Sequence, residues 1–342
     1  MNRILTEDIA DFVSSFELTE HLNCSKFLIT GATGLIGSTL VHCLLALNNG
    51  ISITCPVRNI VKAKKMFCDE FSRINFVETE LLPFLNQLTI SDEYDYVVHC
   101  ASPTAGSYMK EHPVETFELA VESTKALLNY CKTTNIKSMV FLSSIEYYGQ
   151  ILDDRIITED VLGYIDSSDS RSSYPIGKRA SEFMCASYAK EFSLNVKCAR
   201  LTQTFGAGVS SDDNRVFAQF ARSIIQGTDI VLHTKGESAK PYCYTTDTVS
   251  AILYILLNGE SGESYNVANK DTFISIKEMA EFLTERFNPS VKIIIEENND
   301  MGYAPVTKLN LSTKKIESLG WKPRKDLYSM FKNLLLSMKC NN

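Results

Sequence analysis

The strongest constraint on this chain of 342 residues is the stretch Phe27–Gly37. An apolar run predicts a short strand, the spacing of Gly31, Gly34 and Gly37 predicts a tight turn, and a helix is predicted over Ser38–Asn48. Such glycines let backbone approach a pyrophosphate closely, and the helix N-terminus offers it unpaired N–H groups. Three glycines alone are a weak signal, but glycines between a strand and a helix are a strong one. We therefore predict a dinucleotide here, with an ordinary strand–helix turn as the alternative. The predicted cofactor contacts in this turn are Gly31, Thr33, Gly34, Leu35, Ile36 and Gly37.

Composition excludes several classes of partner. The formal net charge is −7 and no long basic run occurs, so a nucleic-acid partner is not expected. The longest wholly apolar run, Ala251–Leu257, is too short to span a bilayer, and the N-terminus lacks a signal-peptide core. No C-x-x-C or H-E-x-x-H pattern occurs, so no metal is expected. We expect a cytoplasmic protein without a membrane segment.

Strand and helix patterns alternate along the first 200 residues. This alternation predicts an α/β fold, a Rossmann-type doubly wound parallel sheet, followed by a smaller C-terminal substrate-binding α/β region. The predicted division is a helical extension over 1–24, a dinucleotide-binding domain over 25–202 to which 239–258 returns, and a mainly substrate-binding region over 203–342. The predicted strands of the large sheet are Phe27–Thr30, Ser52–Pro56, Tyr96–Cys100, Ser138–Ser143 and Val196–Thr202. The further predicted helices are Asn59–Phe71, Pro113–Thr133, Tyr174–Phe192, Val216–Gln226, Asp247–Leu257, Ile274–Phe287, Thr313–Leu319 and Leu327–Met338, with short strands at Ile230–Leu232 and Val291–Glu296.

A second signal is Tyr174-Pro-Ile-Gly-Lys178. Residues four apart share one face of a helix, so the phenol and the ammonium are expected to point the same way. A nearby ammonium favours the phenolate, which predicts a lowered pKa for Tyr174 and a role as general base. On its own this spacing is common, and a surface Tyr–Lys pair is the alternative. It becomes specific together with the glycine turn and with a strand-end hydroxyl, Ser144.

These motifs resemble a known family. Three motifs occur in the same order as in the extended short-chain dehydrogenase/reductase superfamily: the glycine turn, Ser144 in Ser-Ser-Ile-Glu-Tyr-Tyr-Gly149, and the Tyr174/Lys178 pair. More narrowly, they resemble the nucleotide-sugar epimerases, dehydratases and decarboxylases of that superfamily. The resemblance extends from about residue 25 to residue 335. Further segments also resemble UDP-glucuronate decarboxylases: His99–Tyr108 with His112-Pro113, Ser181–Ala186, Arg200–Gly206 and Leu319–Pro323.

The resemblance implies roles for the catalytic residues. Tyr174 would take the proton of a sugar hydroxyl at C4 while hydride passes to NAD(P), Ser144 would stabilise the oxyanion, and Lys178 would hold the nicotinamide ribose. The resulting 4-keto sugar has an acidified C5 proton, and Glu146 would act as acid or base at C5 or C6. A solvated loop glutamate is the alternative for Glu146.

The resemblance also implies the binding partners. The substrate would be a nucleotide-diphosphate sugar, and the chain would form a homodimer through the helices at 113–133 and 174–192. The implied substrate-binding residues are Ser107, Tyr108, Gln203, Val216 and Lys240, and the implied cofactor-binding residues outside the glycine turn are Arg58, Asn59, Ala101, Ser102, Tyr174 and Lys178.

The chain departs from the family at several positions. No Asp or Glu occurs between Gly31 and Cys68, where NAD-preferring members carry an acid, and Arg58 follows the second strand instead. A guanidinium suits a 2′-phosphate, so we lean towards NADP(H), with NAD and a solvated basic helix face as alternatives. The other departures are Gln203 and Ala120 in place of asparagines and Lys240 in place of an arginine, which leave the sugar and the reaction type open.

Two other functions compete with a nucleotide-sugar enzyme that regenerates its own cofactor. A reductase that consumes NADPH to reduce a keto sugar or another small carbonyl would suit Arg58. A cofactor-binding sensor without catalysis is disfavoured by the intact set of Ser144, Tyr174 and Lys178.

Overall fold

A computed structural model describes residues 2–103, 106–297 and 306–340. The strands are β1 Lys26–Thr30, β2 Ser52–Val57, β3 Asn75–Glu78, β4 Tyr96–His99, β5 Ser138–Ser144, β6 Val196–Leu201, β7 Gln203–Phe205, β8 Ile230–Leu232, β9 Ala239–Tyr244, β10 Ser264–Val267, β11 Asn269–Ser275 and β12 Ile293–Ile295. The helices are α1 Arg3–Ser15, α2 Leu35–Ala46, α3 Ile60–Phe67, α4 Leu81–Gln87, α5 Gly106–Glu111, α6 Pro113–Thr133, α7 Ser173–Phe192, α8 Val216–Gln226, α9 Thr245–Asn258, α10 Ile276–Phe287, α11 Lys314–Glu317 and α12 Leu327–Cys340.

A seven-stranded parallel sheet forms the centre of the molecule. Its strand order is β10-β6-β5-β4-β1-β2-β3, and every neighbouring pair in it is parallel. The chain winds outward from β1 to β3 and then returns to β4 on the other side of β1. This reversal opens a crevice beyond the carboxyl ends of β1 and β4, where ligands of such sheets bind. The predicted Rossmann-type α/β fold is confirmed.

Helices cover both faces of this sheet. On one face α2 and α9 pack together, and α9 contributes Val249, Ile252 and Ile255 to a core that includes β1 and β2. On the other face α6 and α7 pack against β4, β5 and β6, with Leu127, Cys185 and Phe141 buried between them. The helix α9 packs on the large sheet, whereas Ala239–Tyr244 belongs to a smaller sheet, and the predicted division into domains stays a prediction.

Two smaller sheets in the described part of the chain are built from strands that come after β6. The strands β11, β9 and β7 form a three-stranded sheet, and β8 pairs in parallel with β12. Phe205, Phe217 and Phe331 stack in the core between them and the helices α8 and α12. The helix α1 packs against α2, α9 and α12, where buried Asp8 accepts hydrogen bonds from Tyr244 and Asn333. Within the described residues, no helix combines the length and apolarity needed to cross a membrane.

The structure differs from the predicted elements in a few places. The helix α2 begins at Leu35 rather than Ser38, directly behind Gly34. The helix α3 ends at Phe67 rather than Phe71, because Cys68 takes a φ of +32° and a 3₁₀ turn follows. The strands β3 and β10, which add the two outer members of the sheet, were not predicted.

Candidate active site

The glycine turn forms a cradle at the carboxyl end of β1. Gly31 has a φ of +70°, and a Cβ on it would stand 2.7 Å from the backbone nitrogen of Ala101. A Cβ on Gly37 would stand 2.3 Å from the carbonyl oxygen of Gly31, so the turn closes only with glycine at both positions. Gly34 caps α2, whose first amides lack intrahelical acceptors and carry the positive end of the helix dipole. This cradle fits the diphosphate of a dinucleotide.

A buried polar chain joins the cradle to β4. The hydroxyl of Thr30 lies 2.7 Å from Nδ1 of His99 and accepts a hydrogen bond from the Ala101 amide. Nε2 of His99 lies 3.0 Å from the hydroxyl of Ser123 on α6. Burial, with the charge of Lys178 adding to it, lowers the pKa of His99 to about 3. His99 is therefore a neutral structural link between β1, β4 and α6 and is not available as a proton donor near pH 7.

The helix α7 carries Tyr174 and Lys178 in its first turns. Both side chains are buried, and Nζ of Lys178 lies 5.5 Å from the centre of the Tyr174 ring, as the four-residue spacing predicts. Nζ donates a hydrogen bond of 2.7 Å to the carbonyl of Leu142 in β5. Close packing brings α7 onto α6, since a Cβ on Gly177 would stand 3.2 Å from Cβ of Ala120. Burial lowers the pKa of Lys178 to about 8, although Glu182 acts in the opposite direction.

Tyr174 lies among three of the other predicted site residues. Burial raises its pKa, the charge of Glu146 raises it further, and hydrogen bonding to Ser144 and Ser102 lowers it. The predicted lowering of this pKa by the ammonium is therefore wrong for the structure described, because burial dominates and Lys178 is bonded to Leu142. The three-dimensional cluster itself agrees with the sequence: a phenol, two hydroxyls and a carboxylate from three segments of the chain meet at one edge of the sheet.

The carboxylate of Glu146 has cations around it. Nη2 of Arg171, in the 3₁₀ turn before α7, lies 3.5 Å from its Oε1. Glu146 raises the pKa of half-buried Lys240 on β9, whereas burial, Arg171 and Arg215 lower that pKa, and the net shift is downward. Sequence reasoning identified Glu146 and Lys240 but missed both arginines. Their positions in the sequence could have identified them, because Arg171 stands three positions before Tyr174 and Arg215 stands directly before α8.

The other predicted substrate-binding residues lie around the same edge. Ser107 and Tyr108 are exposed on α5, which contacts the turn that carries Arg171. Gln203 begins β7 beside Tyr242 of β9, and Val216 begins α8 next to Arg215. No contact joins Ser107, Gln203 or Val216 directly to the Tyr174 cluster in the hydrogen bonds and ion pairs of the described residues. Their roles stay predictions.

The adenosine end of the predicted cofactor site holds an acid that sequence reasoning missed. Arg58 is exposed after β2, and the side chain of Asn59 caps α3 by accepting a hydrogen bond from the Lys62 amide. Oε1 of Glu78, at the end of β3, accepts a hydrogen bond of 3.1 Å from the amide of Ile60. A carboxylate from the neighbouring strand is thus held at the start of α3, close in the chain to Arg58.

A buried ion pair supports the turn that carries Glu146. Arg200 on β6 makes a two-pronged bond to Glu182 on α7, at 3.1 and 2.8 Å, and donates to the hydroxyl of Tyr148. Its guanidinium also lies 3.5 Å from the ring centre of Tyr147. Because Tyr147 and Tyr148 directly follow Glu146, this ion pair holds the turn that carries Glu146 in place.

Comparison with known proteins identifies a family and relatives of this chain. A sequence model of the NAD dependent epimerase/dehydratase family matches residues 27–268. UDP-glucuronic acid decarboxylase 5 of Arabidopsis thaliana is 28% identical over 303 residues, which cover 87% of this chain and 85% of that protein.

Solved structures share the fold. UDP-glucose 4-epimerase of Thermotoga maritima, solved with UDP-glucose, superposes with a TM-score of 0.79 at 19% identity and covers 92% of this chain and 99% of that one. RMD of Pseudomonas aeruginosa, solved with NADPH, superposes with a TM-score of 0.75 at 22% identity and covers 93% of this chain and 100% of that one. The matched stretch contains the glycine turn, Ser144 and the Tyr174/Lys178 pair, so the chain belongs to the NAD dependent epimerase/dehydratase family, an enzyme family of the extended short-chain dehydrogenase/reductase type.

Proposed function

We propose that this chain oxidises a nucleotide-diphosphate sugar at C4 to a 4-keto sugar, which it then epimerises, dehydrates or decarboxylates. The observation that carries the proposal is the cluster of Tyr174, Ser144, Ser102 and Glu146 beside the glycine cradle. A phenol that contacts two hydroxyls at the ligand edge of a Rossmann sheet suits proton removal from an alcohol. The names of the relatives, UDP-glucuronic acid decarboxylases, support a nucleotide sugar as the substrate class.

The chain's own residues account for the proton transfers. Oη of Tyr174 takes the proton of the C4 hydroxyl, and the Ser144 hydroxyl donates a hydrogen bond to the oxygen that becomes the carbonyl. A bound nicotinamide would supply the acceptor for the C4 hydride and would return that hydride to the sugar in the last step, so that the whole reaction is redox-neutral. Lys178, buried next to Tyr174, orients the ribose and holds a positive charge near the phenol.

Glu146 serves the second stage. A C4 carbonyl acidifies the C5 proton and weakens the bond to a C6 carboxylate. The Glu146 carboxylate lies close enough to Tyr174 to influence its ionisation, which supports a role at the neighbouring C5 or C6 of the sugar. Lys240 interacts with the charge of Glu146, and Arg215 interacts with that of Lys240; these two cations suit the negative diphosphate of the substrate.

For the cofactor, we propose a nicotinamide dinucleotide with its diphosphate on the glycine cradle. Arg58 favours NADP(H), because a guanidinium binds a 2′-phosphate well. Glu78 opposes that preference, since its carboxylate would repel the same phosphate. Solved neighbours of both kinds exist, with NADPH in RMD and with NAD⁺ in WbmF of Bordetella bronchiseptica.

The test is turnover of nucleotide sugars by the purified chain. UDP-glucuronic acid, UDP-glucose and other nucleotide sugars are incubated without added reduced cofactor, and products are identified by mass and by NMR. We expect product without net cofactor consumption. Tyr174→Phe should lower the rate by about 100- to 10,000-fold while cofactor binding persists.

A matched control lies on the same helix. Tyr188 of α7 is bonded through its hydroxyl to Asn129 and lies away from the Tyr174 cluster. Tyr188→Phe should therefore leave turnover unchanged. Full activity in Tyr174→Phe would rule out the phenol as the base, and the absence of product with every nucleotide sugar would rule out the proposed activity.

A reductase that consumes NADPH is the second candidate, and Arg58 is the observation that favours it. The two candidates differ in stoichiometry. Loss of absorbance at the NADPH band in step with product formation supports the reductase, whereas product without that loss supports internal return of the hydride.

We also propose a homodimer through α6 and α7. Val114 on α6 and Phe183 on α7 are large apolar side chains that are 62% and 72% exposed, which supports a partner surface there. Light scattering should give twice the chain mass for the wild type and the single-chain mass for Phe183→Glu. A monomeric wild type would contradict this part. Cytoplasmic location stays a prediction.

A further inference from the structure

Arg171 joins the catalytic turn to the start of α7. Its Nη2 lies 3.5 Å from Oε1 of Glu146, and the two side chains are 41% and 39% exposed. The backbone of Arg171 is held as well, because its amide donates a hydrogen bond of 2.9 Å to the side chain of Asp169, which caps this 3₁₀ turn. Arg171 therefore reaches Glu146 from an anchored position three residues before Tyr174.

The charge of Glu146 matters to Tyr174. The groups that face the phenol are the Glu146 carboxylate, the hydroxyls of Ser144 and Ser102, and the ammonium of Lys178. Of these, the carboxylate opposes phenolate formation, because two negative charges in a partly buried site repel each other. A group that offsets the carboxylate makes ionisation of the phenol easier.

Three cations lie near Glu146 or near its neighbour Lys240, and they differ in their partners. Lys240 on β9 senses the charge of Glu146, and Arg215 is near enough to lower the pKa of Lys240. Arg215 already forms an ion pair with Asp213, with Nη2 and Oδ2 2.5 Å apart. Arg171 forms its ion pair with Glu146 itself.

We propose that Arg171 is a positioning residue that holds the Glu146 carboxylate in place and offsets its charge at Tyr174. The inference rests on the proposed function, since it assigns Tyr174 as the base. It adds a residue outside the set of Ser144, Glu146, Tyr174 and Lys178. In this arrangement Arg171 need not contact the sugar, and it acts through Glu146.

The test compares pH profiles of kcat/KM. The acid limb of the profile reports ionisation of the Tyr174 phenol. Arg171→Met should move this limb to higher pH by about one unit, because the phenol then ionises beside a carboxylate whose charge is no longer offset. Arg171→Lys, which keeps the charge, should restore the wild-type profile. In a Glu146→Gln background, Arg171→Met should cause no further shift, because the charge that it offsets is gone.

The matched control is Arg155→Met. Arg155 forms an exposed ion pair with Asp153, two residues away. It is therefore a surface arginine with a carboxylate partner of its own, and among the described residues it forms no ion pair with Glu146. Its removal should leave the profile unchanged. A wild-type profile in Arg171→Met, or a shift that persists in the Glu146→Gln background, would overturn the inference.

A second measurement is independent of turnover. Ultraviolet difference spectra at the phenolate band compare each NAD-loaded protein with its Tyr174→Phe counterpart across pH. The phenolate midpoint should lie about one pH unit higher in Arg171→Met than in the wild type. Equal midpoints would refute the role of Arg171 even if no substrate is turned over, whereas absent turnover with shifted midpoints would count against the proposed activity alone.

Discussion

The pH dependence of cofactor affinity follows from the burial of Lys178. The side chain is 3% exposed, and burial lowers its pKa from 10.5 to about 8. This difference corresponds to about 3 kcal/mol of lost preference for the charged form. Lys178 is then about nine-tenths protonated at pH 7 and about one-tenth protonated at pH 9.

If the protonated form holds the nicotinamide ribose, affinity must follow this titration. Because the pKa of Lys178 in the folded protein is lowered, the cation is present below pH 8 and is lost as the pH rises above it. We expect the dissociation constant for NAD(H) or NADP(H) to be nearly flat up to about pH 7, to double by about pH 8 and to approach a tenfold rise per pH unit above about pH 9. The neighbouring groups His99 and Cys100 do not contribute to this change in affinity. The pKa of His99 is about 3 and that of Cys100 about 12, so both stay neutral between pH 6 and 10.

The assay is quenching of protein fluorescence by the cofactor between pH 6 and 10, with circular dichroism to confirm that the fold persists. Lys178→Met should bind weakly and without the break near pH 8. Two controls should keep the break: Lys190→Met, exposed further along the same helix, and Lys240→Met, at the substrate end. An affinity in the wild type that stays constant to pH 9.5 would refute the assignment of Lys178 to the cofactor.

Three further predictions concern the cradle, a buried lysine and the cofactor type. Gly37→Ala should lower the free energy of unfolding in urea by about 1–3 kcal/mol, because its Cβ would stand 2.3 Å from a carbonyl oxygen. Gly34→Ala, with 3.4 Å of room, should unfold like the wild type, and equal losses would contradict this account. Lys197, buried with its pKa lowered to about 8, favours its neutral form in the fold, so wild-type stability gains from it as the pH rises. Between pH 8 and 10.5, the free energy of unfolding of the wild type should therefore rise relative to that of Lys197→Met. Parallel curves of the free energy of unfolding against pH would argue against this. Arg58→Met should reduce the ratio of NADPH to NADH affinity about tenfold and Glu78→Gln should raise it, as competitive binding would reveal.

The sequence predicted the buried strands of the sheet because they are nearly continuous apolar runs. The strand β2 is buried at five successive positions and was recognised on that pattern. The strand β3, in contrast, lies at the edge of the sheet with no fully buried residue, so its sequence shows no apolar run. The strand β10 contains buried Asn266, whose side chain bonds the carbonyls of Ile157 and Ser312 and accepts from Tyr148. Those partners are distant in the chain and leave no local signal.

The same contrast applies to the site. Local patterns identified the glycine turn and the Tyr174/Lys178 pair, which depend on spacing within one segment. Arg171 was missed because its partner, Glu146, lies 25 residues away in the chain. Glu78 was missed because it reaches Ile60 from the neighbouring strand. The direction of the pKa shift of Tyr174 was wrong because it depends on burial, which the four-residue spacing does not report.

The opposite shifts of Tyr174 and Lys178 have one cause. Burial disfavours any single charge, so it raises the pKa of the phenol and lowers that of the ammonium. A phenolate and an ammonium attract each other, and Nζ of Lys178 lies 5.5 Å from the centre of the Tyr174 ring. Lys178 is mostly charged at pH 7, so a phenolate at Tyr174 forms beside a cation, and it loses that partner as Lys178 deprotonates above pH 8. Loss of turnover above pH 8 should consequently accompany the loss of cofactor affinity, with the same midpoint.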